Sequence, residues 1–548
     1  FSSTHFAKVG NFHLQKTQRG KRSMKKVLSL ILCLLLVLPA LAGCRSDSKL
    51  SEDTSINKEE TPKTETDEGE STAESGEITT IIWQYPTPGN LGPGFQEVED
   101  AFNAMLEKDV GVRVKFEPVP LMESQKKAQL MVSAGEQLDI ALTAFTSLGP
   151  LVESGLILPL DELVEKYGQG IKEACGESLL NGSYKGKLYG IPPADRRGNS
   201  YGFLARTDLL QKYGITIDEN KYYTIDEIEQ MFAIVKAGEG PNFYCEIPWN
   251  TTPEPLNNGY IEYDKVGGAI GNGVLMLNRG FNTTKIENIF ATEEYKEYAE
   301  MKYRWAQKGY ISPDAAITTE HPDSLMKTGK YFGMFRWTDP SGESWCEANY
   351  GFDFTAIQMV KPYVAGSGGA LITWNIPITS VSPEKAMKAL NYLYSNYEAN
   401  KLIQFGIEGK SYKVLQKTDE GELIQYLEDD TSKLPYYNPY GLWGNILKWP
   451  AVYPDPINIK KIMREWDAAI PKTRYSPAIG YTFVQTSVAN EIAAVQAVVD
   501  QYTPIINCGA ADPSKSLPEF LNALKAAGVD KIIEENQRQF DAWLASKK

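Results

Sequence analysis

The chain has 548 residues, 42% of them hydrophobic and 11% aromatic, and a formal charge of −14. The negative charge disfavours nucleic acid as a partner, and the length exceeds what one hydrophobic core usually supports. After Met24 the only histidine is His321, so that stretch has no zinc-binding histidine pair, and a Ser-His-Asp site would depend on this one residue. We expect His321 to lie in an exposed loop, and we expect no cofactor and no metal ion.

The first residues have the features of a secretory signal. Residues 1–23 show no apolar periodicity, and we interpret them as upstream sequence outside the protein proper. Residues 24–43 combine a lysine pair, an unbroken apolar run over 27–38 and a small-residue end, which is the order of a signal peptide. The run is shorter than the ~20 residues of a transmembrane helix, so a permanent span is the weaker interpretation. Without residues 1–43, which hold seven Lys and Arg and no acid, the formal charge becomes about −21.

The string Leu41-Ala42-Gly43-Cys44 resembles the lipobox of bacterial lipoproteins. This resemblance implies that Cys44 is lipidated and becomes the new N-terminus; an ordinary signal with an incidental cysteine is the alternative. Residues 44–77 are rich in Ser, Thr, Glu, Asp and Lys and have no aromatic residue, which predicts a disordered acidic tether. We therefore expect a lipid-anchored protein on the extracellular face of the cell membrane, in an organism without an outer membrane.

From Ile78 onward, short apolar runs alternate with helical stretches. This order predicts a βαβαβ unit, and so a parallel sheet covered by helices. Ligands of such sheets bind at the carboxyl ends of the strands; Trp83 and Tyr85 are at the end of the first predicted strand, and Asp139 lies within the third, close to its end. The predicted strands are 78–83, 112–116 and 138–141, and the predicted helices are 95–106 and 122–132.

Several strings along this region resemble extracellular solute-binding proteins of ABC importers. Residues 329–337 resemble the segment that places an aromatic ring over the ligand in the sugar-binding branch of that family. The other resembling strings are 135–140 and 151–161 in the first sheet-and-helix passage, 186–192 and 201–210 at the first crossover, 380–390 in the helix after the return crossover, and 476–483 and 524–531 in a C-terminal domain found in a lipoprotein subgroup.

The resemblance implies an α/β, periplasmic-binding-protein-like fold, in which two lobes with mainly parallel sheets flanked by helices are joined by hinge crossovers. The crossovers would lie near 191–201 and 358–374. The first lobe would comprise 78–195 and about 370–440, and the second 200–365 and about 445–548, including a C-terminal extension.

The resemblance also implies a function, the capture of a small-molecule solute between the lobes and its delivery to ABC permease subunits in the membrane. We expect a monomeric receptor, not an enzyme, and an oligosaccharide as its solute. The alternatives are a peptide-binding receptor and, less favoured, a secreted carbohydrate-active enzyme with two carboxylates across an aromatic groove.

Aromatic faces and planar polar groups are the side chains that a sugar binder needs, the former for the apolar face of the ring and the latter for its hydroxyls. For each aromatic residue the alternative is packing in a core, and for Arg196 it is a solvated loop. The candidate ligand-binding residues are Trp83, Tyr85, Asp139, Asp195, Arg196, Trp337, Trp374, Asn375 and Trp443.

Four cysteines remain beyond Cys44, and they are widely spaced without a Cys-x-x-Cys pair. One or two disulfides are possible in an oxidising compartment, but we favour scattered buried thiols. These residues are Cys175, Cys245, Cys346 and Cys508.

Overall fold

The computed structural model describes residues 78–547 apart from 88, 90, 145–147, 196, 249–262, 267–274, 279–282 and 367–371. All of these described residues belong to a single unit, Ser75–Lys548. The signal segment, the tether with Cys44, and Arg196 lie outside the described residues. No helix of the described part is long and apolar enough to cross a membrane.

The first sheet is built around β1 (Thr79–Thr87), which runs parallel to β2 (Val112–Pro120). On its other side Trp83 bridges Ile140, which leads into β3 (Ala141–Ala144). β3 pairs antiparallel with β15 (Ile372–Asn375), and Ile191 bridges the far side of β15. The helices of this part are α1 Phe95–Val110, α2 Ser124–Ser133, α3 Gly149–Glu153, α4 Asp161–Tyr167 and α5 Gln169–Cys175.

The βαβαβ order predicted from the sequence is present, with one shift at the third strand. α1 buries one stripe that includes Val98, Phe102 and Leu106, and it ends at Gly111, whose left-handed φ of 69° suits a residue without a Cβ. Asp139 precedes β3 instead of lying near the end of that strand. The amides of Asp139 and Ile140 both donate to the carbonyl of Ile82, so the chain contacts β1 here before the regular pairing of β3 begins.

The second sheet has the strand order β13–β7–β12–β8, with β7 at Tyr201–Arg206, β8 at Tyr244–Glu246, β12 at Tyr331–Trp337 and β13 at Phe354–Gln358. β7 runs antiparallel to both neighbours, and only β8 and β12 are parallel. The sheets are therefore mixed rather than mainly parallel, because the strands that enter from a crossover run against their neighbours.

The crossover strands pair with one another. β6 (Gly198–Asn199) runs antiparallel to β14 (Tyr363–Val364), and Tyr475 bridges Val364 in parallel. A Cβ on Gly198 would lie 2.4 Å from the side chain of Ile470 and 2.6 Å from that of Trp466, so the packing of these two side chains on β6 favours glycine at this position.

The helix Ile225–Glu239 begins with a capping box, in which the side chains of Thr224 and Glu227 each bind the other's backbone amide.

The other described strands and helices are as follows. The strands are β4 Ser183–Tyr184, β5 Lys187–Leu188, β9 Tyr263–Lys265, β10 Leu275–Asn278, β11 Ile286–Asn288, β16 Tyr412–Thr418, β17 Gly421–Tyr426 and β18 Ala451–Val452; the helices are α6 Thr207–Lys212, α7 Ile225–Glu239, α8 Glu293–Gln307, α9 Pro322–Lys327, α10 Gly342–Tyr350, α11 Pro383–Ser395, α12 Tyr397–Phe405, α13 Ile459–Ala468, α14 Ala489–Asn507, α15 Pro513–Ala526 and α16 Val529–Ser546.

Two large hydrophobic cores follow from this arrangement. The first is formed by buried residues from 81–194 and 374–443. The second is formed by buried residues from 203–357 and 478–540, so the three C-terminal helices contribute to the same core as the second sheet. The four cysteines named above are buried and free, which confirms the favoured prediction of unpaired thiols.

Candidate ligand-binding site

The crossovers join one edge of the first sheet to one edge of the second. β1 ends at Thr87 and β3 at Ala144, and the antiparallel β15 begins beside the end of β3. In the second sheet β7 begins at Tyr201, opposite Trp337 at the end of β12, and β13 ends next to it. Because ligands of such sheets bind beyond the carboxyl ends of strands, the edge carrying the crossovers is the candidate site.

Three tryptophans predicted from the sequence lie in the first core. Trp83, Trp374 and Trp443 are at most 1% exposed. The centroids of Trp374 and Trp443 are 4.7 Å apart, and each lies 5.6 Å from that of Trp83. Tyr85 is 4% exposed and its hydroxyl is 2.7 Å from that of Tyr436. Contact of these four predicted residues with a ligand stays a prediction, and their surroundings here are those of packed core residues.

Two of the predicted polar residues have protein partners. Both oxygens of the buried Asp139 carboxylate accept hydrogen bonds, from the amides of Ile82 and Val381 at 2.8 Å, from Ser380 Oγ at 2.7 Å and from Gln137 Nε2 at 2.8 Å. This carboxylate ties β1 to the segment before α11. The amide nitrogen of the buried Asn375 donates to Thr143 Oγ1 at 3.0 Å. Asp195 is partly buried and follows Ala194, which forms an isolated bridge with Asn445.

Trp337 is the predicted aromatic residue that reaches the surface, since 40% of it is exposed. The guanidinium carbon of Arg336 lies 4.3 Å from its ring centre and 3.7 Å from that of Trp345 on α10. Arg336 is 6% exposed and donates a hydrogen bond of 2.9 Å to the hydroxyl of Tyr350, which donates to Asp323. A buried cation therefore holds two indole rings at this edge.

Polar side chains adjoin Trp337 and Trp345 along the chain and bind one another. Thr338 Oγ1 donates to Gln358 Oε1 at 2.7 Å, which links the ends of β12 and β13. Asp339 accepts from the hydroxyl of Ser341. Ser344 on α10 donates to the carboxylate of Asp455, and burial raises the pKa of Asp455 above its ordinary value. Carboxylate and amide groups of this kind are suited to accept hydrogen bonds from hydroxyls.

A single buried carboxylate organises the first crossover. Asp467, in α13, accepts hydrogen bonds from the amides of Arg197 at 2.9 Å and Gly198 at 2.6 Å, and from Arg197 Nε at 3.2 Å. Arg474, a few residues later, donates to the carbonyls of Lys361 and Pro362 in the second crossover. The segment 467–476 thus contacts both crossovers.

The sequence interpretation did not include Arg336, Trp345 and Asp467. Within α10 the buried positions Gly342, Cys346 and Tyr350 recur every fourth residue, and Trp345 falls off this stripe. That spacing is a signal that could have identified Trp345. His321 is exposed, as predicted, and its Nδ1 accepts from the amide of Asp323 at the start of α9. The described residues contain no group of side chains that could hold a metal ion.

Two α/β cores joined by paired crossovers define the class of periplasmic-binding-protein-like folds. Residues 100–409 match the family of bacterial extracellular solute-binding proteins, and the chain belongs to this family, which is one of binding proteins. Residues 477–545 match a domain of unknown function, DUF3502. These matches confirm the family and the C-terminal domain predicted from the strings in the sequence.

The chain is similar to a carbohydrate ABC transporter substrate-binding protein of Streptococcus pneumoniae, with 24% identity over 482 residues, which are 87% of this chain and 93% of the relative. A Brucella abortus binding protein is 30% identical over 328 residues, 59% of this chain and 73% of the relative. The crystal structure of the N-glycan transport solute binding protein NgtS from Streptococcus pneumoniae has a TM-score of 0.72 at 22% identity, and the likeness covers 86% of this chain and 100% of that structure. The complex of NgtS with Man5GlcNAc has a TM-score of 0.63 at the same identity and coverage. The predicted fold class is therefore confirmed.

Proposed function

We propose that this protein is a receptor that binds an oligosaccharide at the edge carrying the crossovers and delivers it to an ABC permease. The observation that carries this proposal is the partly exposed Trp337 at the end of β12, whose ring packs on the buried Arg336. The similarity to a carbohydrate-binding relative over most of the chain, and to a structure with a bound N-glycan fragment, favours a sugar over a peptide.

The chemistry of the edge fits a neutral sugar. An indole face packs against the carbon-bound hydrogens of a pyranose ring, while carboxylates and amides accept its hydroxyl protons. The candidate acceptors are Asp339 and Gln358, after β12 and at the end of β13, and Asp455, which is bound to Ser344 of α10; each already accepts a hydrogen bond from a protein hydroxyl. Asp195, which follows the bridge residue Ala194, and Arg196, the next residue in the sequence, are candidate ligand residues in this proposal. Contact of Trp83, Tyr85, Trp374, Trp443, Asp139 and Asn375 with the ligand also stays a prediction, although these six residues are buried among protein groups here.

Under this proposal the first lobe comprises 78–195 and about 372–468, and the second comprises 201–364 and about 476–547. The two hydrophobic cores support this division. β18 pairs with β17, and for this reason we assign residues up to α13 to the first lobe and place the last return near 469–476, later than the sequence interpretation placed it. Ligand binding would stabilise the closed arrangement of the lobes, and the permease would bind that arrangement.

The proposal also includes the location. Signal cleavage before Cys44, lipidation of that cysteine and an acidic tether over 45–77 would hold a monomer at the outer face of a membrane without a second membrane outside it. Acyl chains contribute ~0.8 kcal/mol per buried methylene, so two or three chains suffice for stable anchoring. Metabolic labelling with palmitate should mark the wild-type protein and not Cys44→Ser; labelling of both would remove Cys44 from this role.

Titration calorimetry of the purified protein tests the binding function. We expect Man5GlcNAc and related oligosaccharides to bind with micromolar or tighter affinity, to raise the melting temperature and to be recovered intact. Binding of peptides without any binding of oligosaccharides would overturn the proposal in favour of a peptide receptor. Recovery of shortened glycan would overturn the assignment as a binder without enzymatic activity.

A further inference from the structure

Trp345 lies on the first turn of α10, shortly after the strand that ends with Trp337. Its residue exposure is 38%, close to that of Trp337. Single exposed apolar residues are common on protein surfaces and carry no meaning alone. What distinguishes Trp345 is that its indole and that of Trp337 contact the same guanidinium, so the two rings are neighbours at one edge of the second sheet.

Arg336 fixes both rings from below the surface. Its side chain is almost fully buried, its Nη1 donates to Tyr350, and the Tyr350 hydroxyl donates to Asp323 at 2.5 Å. Trp345 also packs edge-on against Tyr350, with ring centroids 5.6 Å apart. Cation–π contacts are stronger when they are desolvated than at exposed sites. The two indoles are therefore ordered before a ligand arrives, which reduces the entropy lost on binding.

We propose that Trp345 is a second stacking surface for carbohydrate, that it binds a sugar ring beyond the one at Trp337, and that Arg336 is the positioning residue for both indoles. This inference rests on the proposed function and deepens it, since it requires a ligand of at least two sugar residues. Ser344, which precedes Trp345, donates to the carboxylate of Asp455, and this pair would supply the oxygens that bind the hydroxyls of the second ring.

The test measures how the affinity of each variant depends on the length of the glycan. Titration calorimetry would use a series from mannose to Man5GlcNAc against wild type, Trp345→Ala, Trp345→Phe and Trp543→Ala. Trp543 is a matched control because its ring, like that of Trp345, contacts a cation: Lys547 Nζ lies 3.7 Å from the ring centre. Trp543 belongs to α16, in the C-terminal domain. We expect Trp345→Ala to weaken binding of the longer glycans about tenfold and to leave the shortest bound ligand within about twofold. Trp345→Phe keeps an aromatic face and should restore most of the affinity, and Trp543→Ala should leave the whole series unchanged.

Arg336→Lys tests the positioning role, because lysine keeps the charge and loses the flat guanidinium. We expect a weaker preference for long glycans together with a change in tryptophan emission of the free protein. An equal effect of Trp345→Ala on every ligand length, or no effect on any, would overturn the second stacking surface. Absence of oligosaccharide binding by the wild type would instead overturn the proposed function, so the two failures are distinguishable.

Discussion

Two groups of aromatic side chains in this protein differ in their surroundings. Trp83, Trp374 and Trp443 pack against one another in the first core and are inaccessible to solvent. Trp337 and Trp345 stack on Arg336 at the edge of the second sheet and are each more than a third exposed. A buried indole contributes its area to folding, whereas a partly exposed and already ordered indole retains a face for a ligand.

The buried group also contains unpaired polar atoms. Trp374 Nε1 donates to the carbonyl of Leu442 at 2.8 Å, but the indole nitrogens of Trp83 and Trp443 have no hydrogen-bond partner among the residues that the structure describes. An unpaired buried N–H costs about 1–3 kcal/mol relative to a paired one. These two rings are therefore retained in the core for their size and shape rather than for hydrogen bonding.

The largest expected effect is that of truncating the buried group. Trp83→Ala should lower the free energy of unfolding by about 3–5 kcal/mol, because a large cavity would remain among rings that cannot collapse onto it. Trp83→Phe should cost less, since it also removes the unpaired N–H. Urea denaturation followed by far-ultraviolet circular dichroism measures both. If Trp83→Ala lowered the free energy of unfolding by less than about 1 kcal/mol, the buried tryptophans would not differ from the exposed pair in their contribution to stability.

The next effect concerns the segment that joins the cores. Asp467→Ala should lower the free energy of unfolding by about 2–3 kcal/mol, because it leaves two crossover amides and Arg197 without their acceptor. Asp500→Ala is the control, since Asp500 is exposed and accepts from Gln496 on its own helix. The control should stay within about 0.5 kcal/mol of wild type. Equal losses for both variants in the same denaturation experiment would remove Asp467 from its role in the crossovers.

Particular residues show how far the sequence determines this picture. The apolar periodicity of α1 and the alternation in β2 are local signals, and both elements lie where the sequence predicts them. The burial of Trp83 is not a local signal, because every residue from Trp83 to Thr87 is buried and the strand therefore has no polar face to indicate direction. Trp337 also ends an apolar strand, but unlike Trp83 it is exposed, because it is the last residue of β12 before the chain leaves the sheet.

Long-range contacts account for the other differences. Asp139 is a reasonable ligand residue in the sequence alone, yet its carboxylate is bound by Ser380 and Val381, which lie far along the chain. Asp467 is likewise bound to residues of the first crossover. Neither pairing has a sequence spacing that predicts it. The stripe of α10 that leaves Trp345 exposed, in contrast, can be read from the sequence once the helix is known.

The third prediction concerns the exposed group. Trp337→Ala should weaken oligosaccharide binding about tenfold or more, because hot spots for binding are commonly ordered aromatic residues. Its free energy of unfolding should fall by about 1 kcal/mol or less, since much of the ring is already in water. Calorimetric titration and urea denaturation of the same preparation give the two values. A large loss of stability with unchanged affinity would place Trp337 with the buried group.

The smallest effect is a pH dependence in the second core. Glu229 on α7 is bound by Arg304 of α8 at 2.6 Å and by Lys308, the residue that follows α8, at 2.8 Å. Burial opposes its ionisation, but these hydrogen bonds and charges outweigh burial and lower its pKa to about 2. The unfolded state binds more protons than the folded state between about pH 2 and the ordinary glutamate pKa of about 4.3, so the contribution is complete above about pH 5 and is lost as the pH falls through about 2.

We expect Glu229→Gln to lower the free energy of unfolding by about 1 kcal/mol at pH 7, less than the shift alone implies, because both cations are nearly half exposed and screened by solvent. The difference between variant and wild type should shrink as the pH falls from 5 towards 2. Glu519→Gln, at an exposed position of α15, is the control and should leave stability unchanged. Thermal denaturation at several pH values measures this difference in stability. A difference that stays constant between pH 5 and 2 would show that the pairing with Arg304 and Lys308 does not stabilise the second core. The stability of the second core would then rest on its buried rings, as that of the first core does.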